Sequence, residues 1–178
     1  MIGRWFPKLA SNTRGAAVVE LAMVAPVLAV MVVGVVDMSN AFSRKLALEQ
    51  GAQRAIEKIM QTTDDTTVEA TLKNEAVCQV NGTNTNGTCK TSPITTSNVT
   101  VTYRLECKAS GGAVTTSLNT DPVAFDALTC AGGTVSESRY LEVALTDKYT
   151  PMFPMHFGPF NTADGTYHVS ATAGMRTQ

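Results

Sequence analysis

The spacing of apolar positions changes twice along this chain. From Ala16 to Val36 the run AAVVELAMVAPVLAVMVVGVV holds 21 residues and one charge, Glu20. At about 1.5 Å per residue, a helix of that length spans about 30 Å, the thickness of a bilayer core. From Ala41 to Met60 there is no proline and a single glycine, Gly51. There Leu48, Ala52, Ala55 and Ile59 fall at i, i+4, i+7 and i+11, one face of a helix. The two stretches predict one helix over residues 16–61, membrane-spanning to about 36, whose outer half buries its apolar stripe under a globular domain. Thr66-x-x-Glu69 has capping-box spacing, and Val68, Leu72 and Ala76 follow at intervals of four, which predicts a short second helix over residues 66–77.

Beyond that point the period falls to two. Val99, Val101, Tyr103 and Leu105 alternate with Thr100, Thr102, Arg104 and Glu106, the pattern of a half-buried strand from Asn98 to Cys107. Leu141, Val143 and Leu145 mark a second strand from Tyr140 to Thr146, and Tyr167, Val169, Ala171 and Ala173 a third. Residues 81–98, dense in Asn, Gly, Thr and Ser, read as a loop. Residues 109–134, with Gly111-Gly112 and Gly132-Gly133 as turns, read as a long excursion carrying Cys130. Residues 150–165, with Pro151, Pro154 and Pro159, read as a connection that cannot be a central strand. The expected fold class is α+β: a long N-terminal transmembrane or stalk helix packed on a small antiparallel sheet of three or four strands. No internal repeat is visible.

The formal net charge of −1 predicts no bulk attraction to nucleic acid or anionic lipid. Its distribution says more. Residues 1–15 carry Arg4, Lys8 and Arg14 and no acid, leaving 11 basic and 15 acidic side chains in the remainder. A basic tip before an apolar run orients a chain with its N-terminus in the cytoplasm. All four cysteines, Cys78, Cys89, Cys107 and Cys130, follow the apolar run. An even number in a loop-rich exported region reads as a disulfide set, against the alternative of four buried thiols in a cytosolic protein. Of the three possible pairings, Cys78–Cys89 with Cys107–Cys130 is favoured, because each bridge closes a local loop.

Glu20 carries the most information. A carboxylate inside a membrane helix costs a few kcal/mol or more unless it is paired or neutralised. The plain account is hydration near the headgroups. The sharper one comes from its neighbours: a cut after Gly15 makes Glu20 residue five of the product and puts a new ammonium on Ala16. That charge, on the same or a neighbouring subunit, would offset the burial of both. An ordinary secretory signal is the competitor, but its apolar region is about 7–15 residues and holds no acid.

Arg14-Gly15-Ala16-Ala17 with Glu20 resembles the type III signal of type IV prepilins, cut after a glycine with glutamate at position five. The fuller set, with Val19-Glu20-Leu21-Ala22, Pro26, Gly34 and Gln53-Arg54-Ala55, resembles the TadE-like segment of tight-adherence (Tad/Flp) pilus systems. The likeness is close over about 40 residues and extends loosely to the C-terminal YHVSATAGMRTQ with Arg176; Leu21 stands where family members can have Phe. The resemblance implies a pilin-like fold, a leader over residues 1–15, a helix over 16–61 and a periplasmic disulfide-containing domain over 62–178. It implies a prepilin peptidase, other pilins and pseudopilins and an inner-membrane assembly platform as partners. Because the major pilin is much shorter than 178 residues, it points to a minor pilin or pseudopilin. Pro26 removes a backbone hydrogen bond inside the helix and invites a kink, which has either no role or helps the helix leave the membrane.

Other chemistry finds little support. The two histidines, His156 and His168, lie in no nucleophile motif and far in sequence from the cysteines, and no Cys-x-x-Cys suggests zinc. No glycine-rich loop opens a helix after a strand, and no basic patch is interleaved with aromatics. No cofactor, metal or enzymatic activity is therefore expected, nor a nucleic-acid partner. Asp64-Asp65 reads as an acidic helix start rather than a calcium site. Asn81, Asn86 and Asn98 each open an Asn-x-Ser/Thr triplet and read as turn residues rather than glycan sites. The main alternative is a secreted or membrane-anchored periplasmic binding domain unrelated to pili. Ser39-Asn40-Ala41 resembles a signal-peptidase site, with release of a domain starting at Phe42.

Overall fold

The computed structural model describes residues 13–61, 68–153 and 160–177. One helix, α1 (Thr13–Gln61), runs unbroken for 49 residues and passes through Pro26. Its two halves differ in what covers them. From residue 17 to 32 every side chain is exposed. From Asp37 onward buried positions recur at helical spacing: Ala41, Leu48, Ala52, Ala55 and Ile56. This is the stripe expected from the sequence, with Ile59 packed at its edge.

The second helix, α2 (Val68–Asn81), lies along α1 and ends four residues later than expected, at Asn81. Thr66, the proposed cap, falls outside the described residues, as do Asp64 and Asp65. Gly82 stops the helix: at φ 76° it takes the left-handed conformation and donates its amide to the Cys78 carbonyl at 2.8 Å. Leu72, Ala76 and Val77 face the core.

Four antiparallel strands form one sheet in the order β2-β1-β3-β4, from β1 (Val99–Ala109), β2 (Val114–Asn119), β3 (Thr134–Tyr149) and β4 (Tyr167–Arg176). The register opposes Val101 to Val143 and Tyr103 to Leu141, so the alternating apolar residues of both strands share one face. That face meets α1 and α2, and the core lies between them with Leu48, Leu72, Ile94, Val101, Val143 and Leu145 almost wholly buried. The fold is thus α+β, as expected, with a long apolar helix beside a small antiparallel sheet.

The excursion expected over 109–134 is corrected. It contains β2, paired with β1 from Tyr103↔Asn119 to Lys108↔Val114, and a short helix α3 (Pro122–Asp126). Strand β2 is held by backbone pairing at the sheet edge, and nearly all its side chains face water, so no alternation betrays it. Helix α3 begins at Asp121, whose carboxylate accepts from the amides of Val123 and Ala124, with Pro122 in the first turn. Phe125 tucks against Tyr103, ring centroids 5.3 Å apart, and Arg139 lies 5.1 Å over the Phe125 ring and donates to the Leu128 carbonyl.

Two disulfides join Cys78 to Cys89 (Cα–Cα 4.8 Å) and Cys107 to Cys130 (Cα–Cα 5.6 Å). The first closes the loop after α2; the second ties the end of β1 to the segment after α3. The connection after β3 is described to Phe153 and again from Phe160, and contains no strand among those residues; Pro154, His156 and Pro159 lie outside them.

Candidate functional site

The positions singled out in the sequence lie along the exposed half of α1. Gly15 and Glu20 are both exposed on the first turns of the helix, and a Cβ built at Gly15 would meet nothing within 4 Å. Packing against the described residues therefore does not require glycine there. Residues 1–12 of the expected leader lie outside the described residues. Ala16 and Glu20 are four residues apart, one helical turn, so groups at the two positions are neighbours on one face. Pro26 stands on the exposed stretch with the helix assigned on both sides of it.

The surface around them is apolar. Twelve large hydrophobic side chains between Val18 and Val36 are more than a third exposed. The helix is long and apolar enough to cross a membrane, and only 6 % of its most apolar window is buried. Glu20 is the one charge among these side chains. Among the described residues no group of three or more His, Cys, Asp or Glu could hold a metal ion.

The sequence did not point to Asp37. It is the first residue after the apolar run and is only 1 % exposed. Its carboxylate accepts from the amides of Met152 at 2.9 Å and Phe153 at 3.3 Å, and from the Tyr149 hydroxyl at 3.2 Å. Burial, with the adjacent Asp37 carboxylate, pushes the Tyr149 hydroxyl above its usual pKa. These partners lie 112–116 residues away in sequence, and no local pattern announces such a contact. The nearest available signal is an acid placed directly at the end of an apolar run.

Gly51 is the other residue whose role shows only in the fold. A Cβ there would lie 2.6 Å from Val80 Cγ2, 3.0 Å from Leu145 Cδ2 and 3.1 Å from the Ala76 carbonyl oxygen. The missing side chain lets α2 and β3 close on α1 at one point.

The comparison with curated proteins finds no match, and neither does the comparison with solved structures. The family model described as TadE-like protein matches residues 15–56. The match begins at Gly15, takes in Glu20, Pro26, Asp37 and Gly51, and stops inside α1, so it covers neither α2 nor the sheet. Over that segment of its long helix, about a quarter of its length, the chain is similar to the TadE-like family.

Proposed function

We propose that this protein is a minor pilin or pseudopilin that takes part in assembling a Tad-type pilus for surface adherence. On this reading a prepilin peptidase cuts after Gly15. The product is a single-pass protein of the bacterial inner membrane, its N-terminus cytoplasmic and its domain periplasmic. Its partners are other pilins and pseudopilins and the inner-membrane assembly platform, and it performs no covalent chemistry of its own. The observation that carries the reading is the Gly15-to-Glu20 spacing at the head of an exposed apolar helix, inside the TadE-like match.

Physical points support it. Among the described residues nothing in the packing demands glycine at position 15, which fits a residue selected for recognition by a peptidase. A cut there creates an ammonium one turn from Glu20, close enough to pair within the chain or with a neighbour. The secreted-domain alternative fits less well. Cleavage after Ala41 would cut inside an unbroken helix at a residue only 6 % exposed and would remove Asp37 with its three hydrogen bonds.

The mature N-terminus of the protein from its native membrane tests this by intact mass and terminal sequencing. A chain starting at Ala16 in the membrane fraction is the expected result. A soluble chain starting at Phe42 would replace it with the secreted binding domain, and an uncut Met1 with a plain membrane anchor.

A further inference from the structure

A carboxylate directly after a membrane span ordinarily sits in water. Asp37 instead binds the hydroxyl of Tyr149, at the end of β3, and two backbone amides of the segment after it, so the chain at Tyr149–Phe153 is fastened level with the last turn of the apolar run. Gly34, inside that run, is buried as well. The folded domain therefore reaches down beside the end of the span rather than standing off from it. On this segment two large apolar side chains face outward: Met152 is 70 % exposed and Phe153 38 % exposed. Asn40, Ser43, Arg44 and Tyr149 line the adjoining concavity, and Asn40 Nδ2 lies 3.7 Å from the Met152 sulfur.

We propose that Met152 and Phe153 form a second membrane contact, entering the interfacial layer of the leaflet from which α1 emerges, with Asp37 as the positioning residue. The proposal rests on the reading of α1 as a membrane span. The occupant is lipid rather than a protein partner because the contact is continuous with the span. Apolar side chains lie level with its last turn, and hydroxyl, amide and guanidinium groups follow in the order that acyl chain, glycerol and phosphate present. One helix alone leaves a domain free to swing and rotate about its exit point. A second contact on the sheet side of α1 fixes the face that the domain turns to the membrane. Asp37 then serves as a clasp: it satisfies the amides of two residues whose side chains are committed to lipid.

The test uses the full-length chain in phosphatidylcholine vesicles. The only tryptophan is Trp5, so Trp5→Phe gives a silent background. Into it go, one at a time, Phe153→Trp, Met152→Trp and, as a distant reporter, Val123→Trp. Val123 sits on α3, whose Phe125 and Asp126 contact Arg139, ten residues up β3 from Tyr149, roughly 30 Å away at about 3.3 Å per residue. The expected result is blue-shifted emission from the Met152→Trp and Phe153→Trp chains. Lipids brominated near the headgroup should quench both severalfold more than the Val123→Trp chain. Adding Asp37→Ala to the Phe153→Trp chain should abolish that quenching while the protein still floats with the vesicles. Water-like emission from both the Met152→Trp and Phe153→Trp chains, in protein that floats, overturns this contact and leaves the anchor reading intact. So does lipid quenching that Asp37→Ala does not change, since Asp37 then positions nothing. Protein that fails to float overturns the anchor reading and the contact together.

Discussion

Replacing Asn81 by Ala should cost the domain about 3 kcal/mol, and the figure follows from three hydrogen bonds. Asn81 is the last residue of α2 and is 9 % exposed. Its amide nitrogen donates to the carbonyls of Lys90 and Ile94, both at 2.7 Å, and its oxygen accepts from the Ile94 amide at 3.1 Å. Ile94 is wholly buried, so the alanine variant leaves an N–H and a C=O without partners where water does not reach. Each such orphan costs about 1–3 kcal/mol, while alanine at a helix end returns only a few tenths. For a domain a little over 100 residues long, about 4–5 °C per kcal/mol converts 3 kcal/mol to a Tm lower by roughly 12–15 °C. Near-UV circular dichroism of the full chain in detergent, disulfides intact, reads the transition of the domain. Asn81→Asp sharpens the test, since it keeps the acceptor for Ile94 and turns both donor contacts into oxygen facing oxygen. It should be no better than alanine. An alanine variant within about 0.5 kcal/mol of the parent would refute the reasoning, because surface substitutions reach only that far. The same geometry answers the Asn81-Gly82-Thr83 triplet: a nitrogen that donates twice to the loop is not free to carry a glycan.

At Gly51, alanine gains about 1 kcal/mol of helix propensity but drives a Cβ into Val80 and the Ala76 carbonyl, and overpacking of that kind costs about 1–3 kcal/mol. Gly51→Val should therefore destabilise more than Gly51→Ala in the same melt, and a valine variant as stable as the parent would contradict the packing. Non-reducing peptide mapping should recover Cys78 with Cys89 and Cys107 with Cys130; four alkylatable thiols would refute both bridges. The Asp164 carboxyl is held below its usual 3.8 by hydrogen bonds from Lys148 first, then His168 and Thr166. Because the folded value is depressed, whatever stability the cluster adds is complete above pH 3.8 and is lost as pH falls below it. A carboxyl resonance titrating at or above 3.8 would show the cluster unformed. Glu20→Ala should leave membrane insertion intact and impair pilus assembly, and normal fibres with parental adherence would remove the role given to Glu20.

The strands with one buried face were legible because burial alternated with sequence. Val99, Val101, Tyr103 and Leu105 are all buried, while their intervening neighbours are not. The stripe Leu48, Ala52, Ala55 was legible for the same reason at helical period. Strand β2 was not, because an edge strand with water on both faces has no period to read. Helix α3 did carry a readable start, Asp121-Pro122, but one turn of helix inside a Gly- and Thr-rich stretch gives no apolar repeat to support it. The Asp37 contact and the Gly51 approach depend on partners brought in from α2, β3 and the segment after β3, so they belong to tertiary structure alone. The Gly15 and Glu20 positions stood out for the opposite reason: their spacing is local, and the fold adds only their exposure.

That exposure sets the energetics of the proposed function. Twelve large apolar side chains between Val18 and Val36 are left uncovered by the chain's own domain. At about 1.5–3 kcal/mol for each fully covered side chain, leaving them in water would forfeit on the order of 20 kcal/mol, more than the net stability of a typical domain, about 5–15 kcal/mol. Something must cover the stripe, and two coverings are available, lipid tails and the helices of other subunits. Both are apolar, so moving α1 from one to the other gains little from the hydrophobic effect. The preference must come from close packing and from the few polar groups that the two media treat differently. Glu20 is the one charge on that surface, and the ammonium proposed at Ala16 is its nearest complement. In lipid the pair is costly to hold even when joined within one chain; on the proposed reading, neighbouring subunits add further partners for each charge. The hydrophobic run thus commits the helix to an apolar setting, and the charge decides which of the two it prefers. This is why Glu20→Ala is expected to spare insertion and to fail in assembly.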